Sequence, residues 1–187
     1  MARIQGLAEE TAPPEIRAIY ERVKAKYGTS LEPVTIAANH PEIFRAYISY
    51  ETAFAGASRV DLKLKELAML KVAAIVGCQF CIDLGSAKAK QAGISEEQMR
   101  ALCSHRESSV FLKTERLVLD LAEEMTRTPA NVSDALFREL QMSFDAIQII
   151  EILSTIAWEN YRSRLNHALG IQAHGFSNRE TCLIPNT

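Results

Sequence analysis

Residues 61–98, DLKLKELAMLKVAAIVGCQFCIDLGSAKAKQAGISEEQ, contain two helical stretches, a glycine between them, and two cysteines immediately after it. Asp61 is a residue type that caps a helix, and Leu64, Leu67, Ala68, Leu70, Val72, Ile75 and Val76 put apolar groups on more than one side. Lys71 apart, that first helix reads as largely buried. Gly77 interrupts it, and the chain resumes as helix from Cys78. Gly93 reads as a C′ residue closing the second helix, and Ser95 with Gln98 as a capping box opening the next. The two stretches predict an antiparallel helical hairpin with a CxxC at the start of its second arm.

The remaining segments carry the same helical period, punctuated by only 8 glycines and 6 prolines. Thr11 offers an N-cap, Pro14 is tolerated in the first turn, and Ile16, Ile19, Tyr20, Val23 and Tyr27 form a stripe that Gly28 ends. Asn39 or His40 before Pro41 starts a helix running toward Ala55. Further helices are predicted from Thr114 to Thr126, from Ser133 to about Gln141, and from Asp145 to Gly170. The fold class is therefore all-α, a single-domain helical bundle over residues 1–174, with 175–187 a C-terminal tail that must dock or stay loose. A weak internal echo aligns ELAMLKVA at Glu66 with EILSTIAW at Glu151. The same offset sets Cys81 on Asn166 and Gly85 on Gly170.

At 187 residues, 48% hydrophobic and 24% charged, the chain can bury one sizeable core. Its net charge of -2 and pI near 6.1, with no basic run, argue against nucleic acid as a partner. No apolar run approaches the ~20 residues that span a bilayer, and the N-terminal MARIQGLAEETAPPEIR lacks the h-region of a secretory signal. A cytoplasmic chain is expected, and four cysteines are too few for a disulfide scaffold.

In a reducing compartment a CxxC reads as catalytic or metal-binding, with two buried small apolar residues as the plain alternative. The reactive form of cysteine is the thiolate, and a free thiol of pKa ~8.5 is mostly protonated at neutral pH. A helix N-terminus lowers that value by pointing unpaired N–H groups and the positive end of its dipole at the sulfur. Cys78 falls at that position, Cys81 one turn in, and their spacing permits a reversible disulfide. A metal site would need completing ligands, for which Cys103 and His105 are the candidates. Thiol chemistry also wants a proton carrier, and Glu66 is the nearest acidic candidate upstream. Across the hairpin, Glu66 and position 85 lie roughly 16 and 12 Å from the bend, near the same level. The bland reading of Glu66 is a surface partner of Lys63 or Lys65, or an ion pair inside an oligomer.

The stretch KELAMLKVAAIVGCQFCIDLGSAKAKQAGISEEQ resembles the carboxymuconolactone decarboxylase and alkyl hydroperoxidase D-like superfamily. APPEIRAIYERVKAKYG, HPEIFRAYISYE, VSDALFREL and SRLNHALG resemble other segments of its members, so the likeness covers most of the chain. The resemblance implies an all-α fold assembled as dimers, trimers or hexamers. It also implies peroxidase or disulfide-reductase activity with no metal or bound cofactor. On this likeness Cys78 and Cys81 match the redox pair and Glu66 the acidic member of the proton relay. The relay histidine falls on Gly85, and the histidine that can precede the second cysteine falls on Phe80.

The expected activity is a thiol-dependent peroxidase or disulfide reductase. Its substrate would be a small hydroperoxide or a disulfide, and its reductant a dithiol protein or small thiol. The rivals are a cofactor-free lactone decarboxylase of the same superfamily and a non-catalytic scaffold that has lost the relay. Of the other residues, Asp83 reads as solvated or capping, and His167 as a C-terminal helix cation. His40 reads as a boundary residue, His105 and His174 as loop residues, and Trp158 and Tyr161 as core or subunit contacts. Cys103 and Cys182 are assigned no role.

Overall fold

A computed structural model describes residues 2–177, and among them all regular structure is helical. The elements are α1 (Pro14–Tyr27), α2 (Glu32–Ala37), α3 (Pro41–Gly56), α4 (Leu62–Val76), α5 (Gln79–Ala89), α6 (Glu96–Ala101), α7 (Lys113–Thr126), α8 (Asp134–Ser143) and α9 (Ala146–Leu169), with a 3₁₀ turn at Leu102–Ser104. The chain divides into two compact units. Of the described residues, one comprises 2–56 with 169–171, the other 57–168 with 172–177.

In the first unit, α1 opens from Pro13 rather than Thr11, whose hydroxyl donates instead to the Ala8 carbonyl at 3.2 Å. The two consecutive prolines explain the shift. Their fixed φ and missing N–H groups suit the cap and first turn, so no side-chain cap is needed. Of the predicted stripe, Ile16 and Tyr20 are buried, and Gly28 ends the helix in the left-handed region. The short α2 was not anticipated. It holds the N-terminal segment through Thr35 O, which accepts from Leu7 N–H at 2.9 Å, while Tyr20 Oη of α1 donates to Leu7 O at 3.1 Å.

The second unit is organised around α4. Ala68 and Val72 pack with Val118, Leu121 and Ala122 of α7, Leu136 and Leu140 of α8, and Ile152 and Ile156 of α9. Leu67, Leu70 and Ala74 pack into a second cluster with Ala89, Ile94, Met99, Leu102 and Leu119. A helix clamped on two sides needs apolar residues around most of its circumference, which is why its amphipathic signal is weak in sequence. The caps form as expected: Asp61 Oδ1 accepts from Lys63 N–H at 2.7 Å, and Ser95 and Gln98 make their reciprocal box. α5 ends at Ala89, a few residues earlier than Gly93 implied, and a turn carries the chain to Gly93 at φ 77°. Among the described residues, no helix is long and apolar enough to cross a membrane.

Candidate functional site

Gly77, at φ 76° and ψ 29°, ends α4 in the left-handed region that glycine adopts without steric cost. Both Gly77 N–H and Cys78 N–H return to Ala73 O, at 2.9 and 3.0 Å, which closes the α4 terminus and reverses the chain. Cys78 then occupies the N-cap of α5, and its Sγ accepts the Cys81 N–H at 3.2 Å. A sulfur there receives one of the helix's orphan donors and faces the positive end of its dipole. Cys78 and Cys81 form a disulfide with Cα atoms 5.3 Å apart. Their environments differ, because Cys78 is 1% exposed and Cys81 is half-buried.

The C-terminal part of α9 lies against this bend. Asn166, itself buried, donates from Nδ2 to Cys81 Sγ at 3.4 Å. His167 donates from Nδ1 to the Gly77 carbonyl at 3.4 Å. One turn back, Arg162 contacts Met69 Sδ at 3.0 Å and Glu159 at 2.5 Å, and Ser163 Oγ donates to Glu159 at 2.7 Å. His167 therefore does more than complement its own helix terminus: it ties α9 to the turn preceding the cysteines.

Glu66 is 7% exposed on α4, so it is a buried carboxyl and not a surface one. Lys63 pairs with Glu115 at 2.7 Å and Lys65 with Glu151 at 2.9 Å. Burial raises the Glu66 pKa and outweighs the lowering influence of Lys88, Arg162 and Lys65, while Glu159 adds to the rise. The carboxyl is thereby biased toward holding its proton. Position 85 is filled by packing: a Cβ built there would stand 2.9 Å from Leu70 Cδ2, and Leu70 is a core residue. Glycine is what permits α4 and α5 to approach so closely at this level.

Asp83 acts as a cap, for the segment that follows α9. Its carboxylate accepts four backbone N–H bonds, from His174, Gly175, Phe176 and Ser177, at 2.7 to 3.1 Å. Phe80, between the two cysteines, meets the His174 ring edge-on at 5.0 Å. The first residues of the predicted tail are thus docked on α5. The remainder of 175–187, including Cys182, lies outside the described residues. His105 lies in a turn, as expected, but is buried there, bonded to Lys71 Nζ at 3.3 Å and to Asp120 at 3.0 Å. Both ring nitrogens are thus committed, and among the described residues no group of three or more His, Cys, Asp or Glu side chains is arranged to hold a metal. A shallow cavity of about 360 Å³ between α7 and α8 includes Arg106, Asp120 and Glu139 in its lining, and neither cysteine nor Glu66.

The carboxymuconolactone decarboxylase family profile matches residues 41–124, which span α3, α4, the cysteine pair and most of α7. The uncharacterized protein YnjA of Escherichia coli K12 is 32% identical over 164 residues, covering 85% of each chain. The chain belongs to the carboxymuconolactone decarboxylase family. Its fold matches that of an uncharacterized peroxidase-related protein with an alkylhydroperoxidase AhpD core from Ralstonia eutropha JMP134, with a TM-score of 0.82 at 18% identity over 94% of both chains. It also matches the debrominase Bmp8, with a TM-score of 0.81 at 19% identity over 93% of both chains. The alkyl hydroperoxidase D-like fold expected from the sequence is thereby established.

Sequence reasoning did not anticipate the contacts of Asn166 and His167 with the cysteine bend. The one signal was the internal echo, whose offset paired Cys81 with Asn166. Equivalence in a repeat does not say that two positions touch, and only the packing of α9 brings them together.

Proposed function

We propose that this family member is a thiol oxidoreductase that reduces small hydroperoxides or disulfides through Cys78 and Cys81. The observation that carries this reading is the asymmetry of the pair: a buried sulfur at a helix N-cap bonded to a half-exposed sulfur one turn in. The accessible Cys81 thiolate attacks a hydroperoxide ROOH, takes one oxygen as Cys81–SOH, and releases RO⁻, which leaves as ROH after taking a proton. The Cys78 thiol then condenses with the sulfenic acid, forming the disulfide and water. A dithiol protein or two small thiols reduce the disulfide and leave oxidised in turn. With a disulfide substrate, Cys81 attacks one sulfur, and Cys78 resolves the mixed disulfide. The chemistry suits the reducing cytoplasm. Exposed Ile147, Ile150, Tyr161 and Leu165 on α9 support self-association as a homo-oligomer.

Mass spectrometry tests the reading directly. One equivalent of hydrogen peroxide should remove two hydrogens from the reduced chain, and a dithiol should sustain repeated turnover; no mass loss and no turnover would sink it.

Glu66 is proposed as the proton donor to the leaving alkoxide. As the pH rises from the ordinary value of 4.5 through the raised native value, the native state holds a proton that the unfolded chain has released. Stability therefore falls with rising pH in that window. Glu66→Gln is expected to be at least as stable as the parent above it, yet to reduce peroxide roughly 10²-fold more slowly, the usual scale for a lost general acid. Unchanged turnover in Glu66→Gln would remove Glu66 from the mechanism.

The buried acid and the cations around it also fit a lactone decarboxylase, whose activity would survive serine at both cysteines. A scaffold would show neither activity.

A further inference from the structure

We propose that Asn166 is a positioning residue for Cys81, its side-chain amide donating to the sulfur and stabilising the thiolate over the thiol. This rests on the reading that Cys81 is the reacting cysteine.

Asn166 is 4% exposed, and its Nδ2 stands 3.4 Å from Cys81 Sγ. A buried amide donor needs an acceptor, and this one is directed at a sulfur. Sulfur in a disulfide or thiol accepts weakly, whereas a hydrogen bond to an ionised acceptor is roughly twice as strong as a neutral one. The contact therefore gains strength when Cys81 carries charge. Cys78 does not share this donor: its sulfur takes the Cys81 backbone N–H at the start of α5. Reduction thus leaves two sulfurs with separate donors, one from the helix backbone and one from a side chain of α9.

The amide is held in place from both sides. His167, the next residue, is bonded to the Gly77 carbonyl before Cys78. One turn earlier, Ser163 and Arg162 are tied through Glu159, and Arg162 reaches Met69 on α4. Leu70 packs against the backbone of Gly85, so position 85 supplies no side chain to the sulfur. An amide does not titrate near neutral pH. Asn166 therefore acts on the charge of Cys81 and leaves proton delivery to another group.

The test is the pH profile of Cys81 alkylation by iodoacetamide, read by peptide mass in reduced Cys78→Ser protein, where one thiol of the pair titrates alone. Asn166→Ala should move the midpoint up by about one unit, a tenfold loss of thiolate below it. Asn166→Asp, nearly the same shape but with a carboxylate beside the sulfur, should move it further. Asn166→His keeps a donor at a similar reach and should restore much of the parental midpoint. An unmoved midpoint in Asn166→Asp, or equal midpoints in all three variants, would overturn the assignment even if Asn166→Ala fails to fold. The readout needs no turnover. Shifted midpoints in a chain that reduces no peroxide would sink the peroxidase reading and leave this one standing, and unmoved midpoints in an active chain would do the reverse.

Discussion

Cys81→Ser is expected to lose the proposed peroxide reduction by about 10³-fold or more, the scale for removal of a nucleophile. Cys78→Ser is expected to keep the first half-reaction. The two variants separate because the two sulfurs occupy different positions. Cys81 is half-buried, so an incoming hydroperoxide can reach it, and it holds a donor from Asn166. Cys78 is 1% exposed at the α5 N-cap, where it can receive a bond from Cys81 but cannot meet a substrate without an opening of the bend. In Cys78→Ser, one equivalent of peroxide should therefore be consumed rapidly and leave Cys81 as a sulfenic acid, trapped by dimedone as a single adduct on the Cys81 peptide. Steady turnover should then fall to the rate at which external thiol resolves it. Rapid peroxide consumption by Cys81→Ser, with the adduct on Cys78, would reverse the assignment of roles.

Much of this arrangement can be read from short-range chemistry. Asp61, Gly77, Ser95 with Gln98, and Gly170 punctuate helices through caps and left-handed turns that depend on a few neighbouring residues, and all of them function so in the structure. The position of Cys78 at a helix start follows from the same logic. Contacts between segments distant in sequence were less accessible. Asp83 appears in sequence as one more acidic residue on a helix, but its four acceptor bonds come from residues more than ninety positions away. His105 reads as a loop residue because it follows a helix end. Its burial depends on Lys71 and Asp120, which belong to two other helices. Asn166 has the same character: its role depends on where α9 lies, which periodicity alone does not specify. Gly85 reads as a missing histidine, and only the packing of Leu70 supplies its positive reason.

Glu123→Ala should destabilise the chain by about 3–5 kcal/mol, the cost of stranding one member of a buried ion pair. Lys71 lies between the two core clusters and is 0% exposed. Its ammonium is bonded to Glu123 Oε2 at 3.2 Å, the Leu102 carbonyl at 3.3 Å and His105 Nδ1 at 3.3 Å. Burial lowers the Lys71 pKa, and Glu123 is the chief opposing influence. Without that carboxylate the amine must bury an uncompensated charge or give up its proton. Lys71→Met is a different perturbation. It replaces the charged tip with an apolar chain of similar length, while Glu123 keeps Arg106 at 3.4 Å and Arg127. Its cost should be smaller, about 1–3 kcal/mol, the scale of leaving buried acceptors at Leu102 and His105 without their donor. Burial alone would raise the Glu123 pKa, but Lys71 and then Arg106 and Arg127 hold it below the ordinary 4.5. Its stabilising contribution is therefore complete above that value and lost as the pH falls through the lowered native one. Urea unfolding at pH 7 and at pH 4 should find the gap between parent and Glu123→Ala narrowing in acid. Equal losses for Glu123→Ala and Lys71→Met at pH 7 would mean that the pair acts through packing volume and that its charge is immaterial.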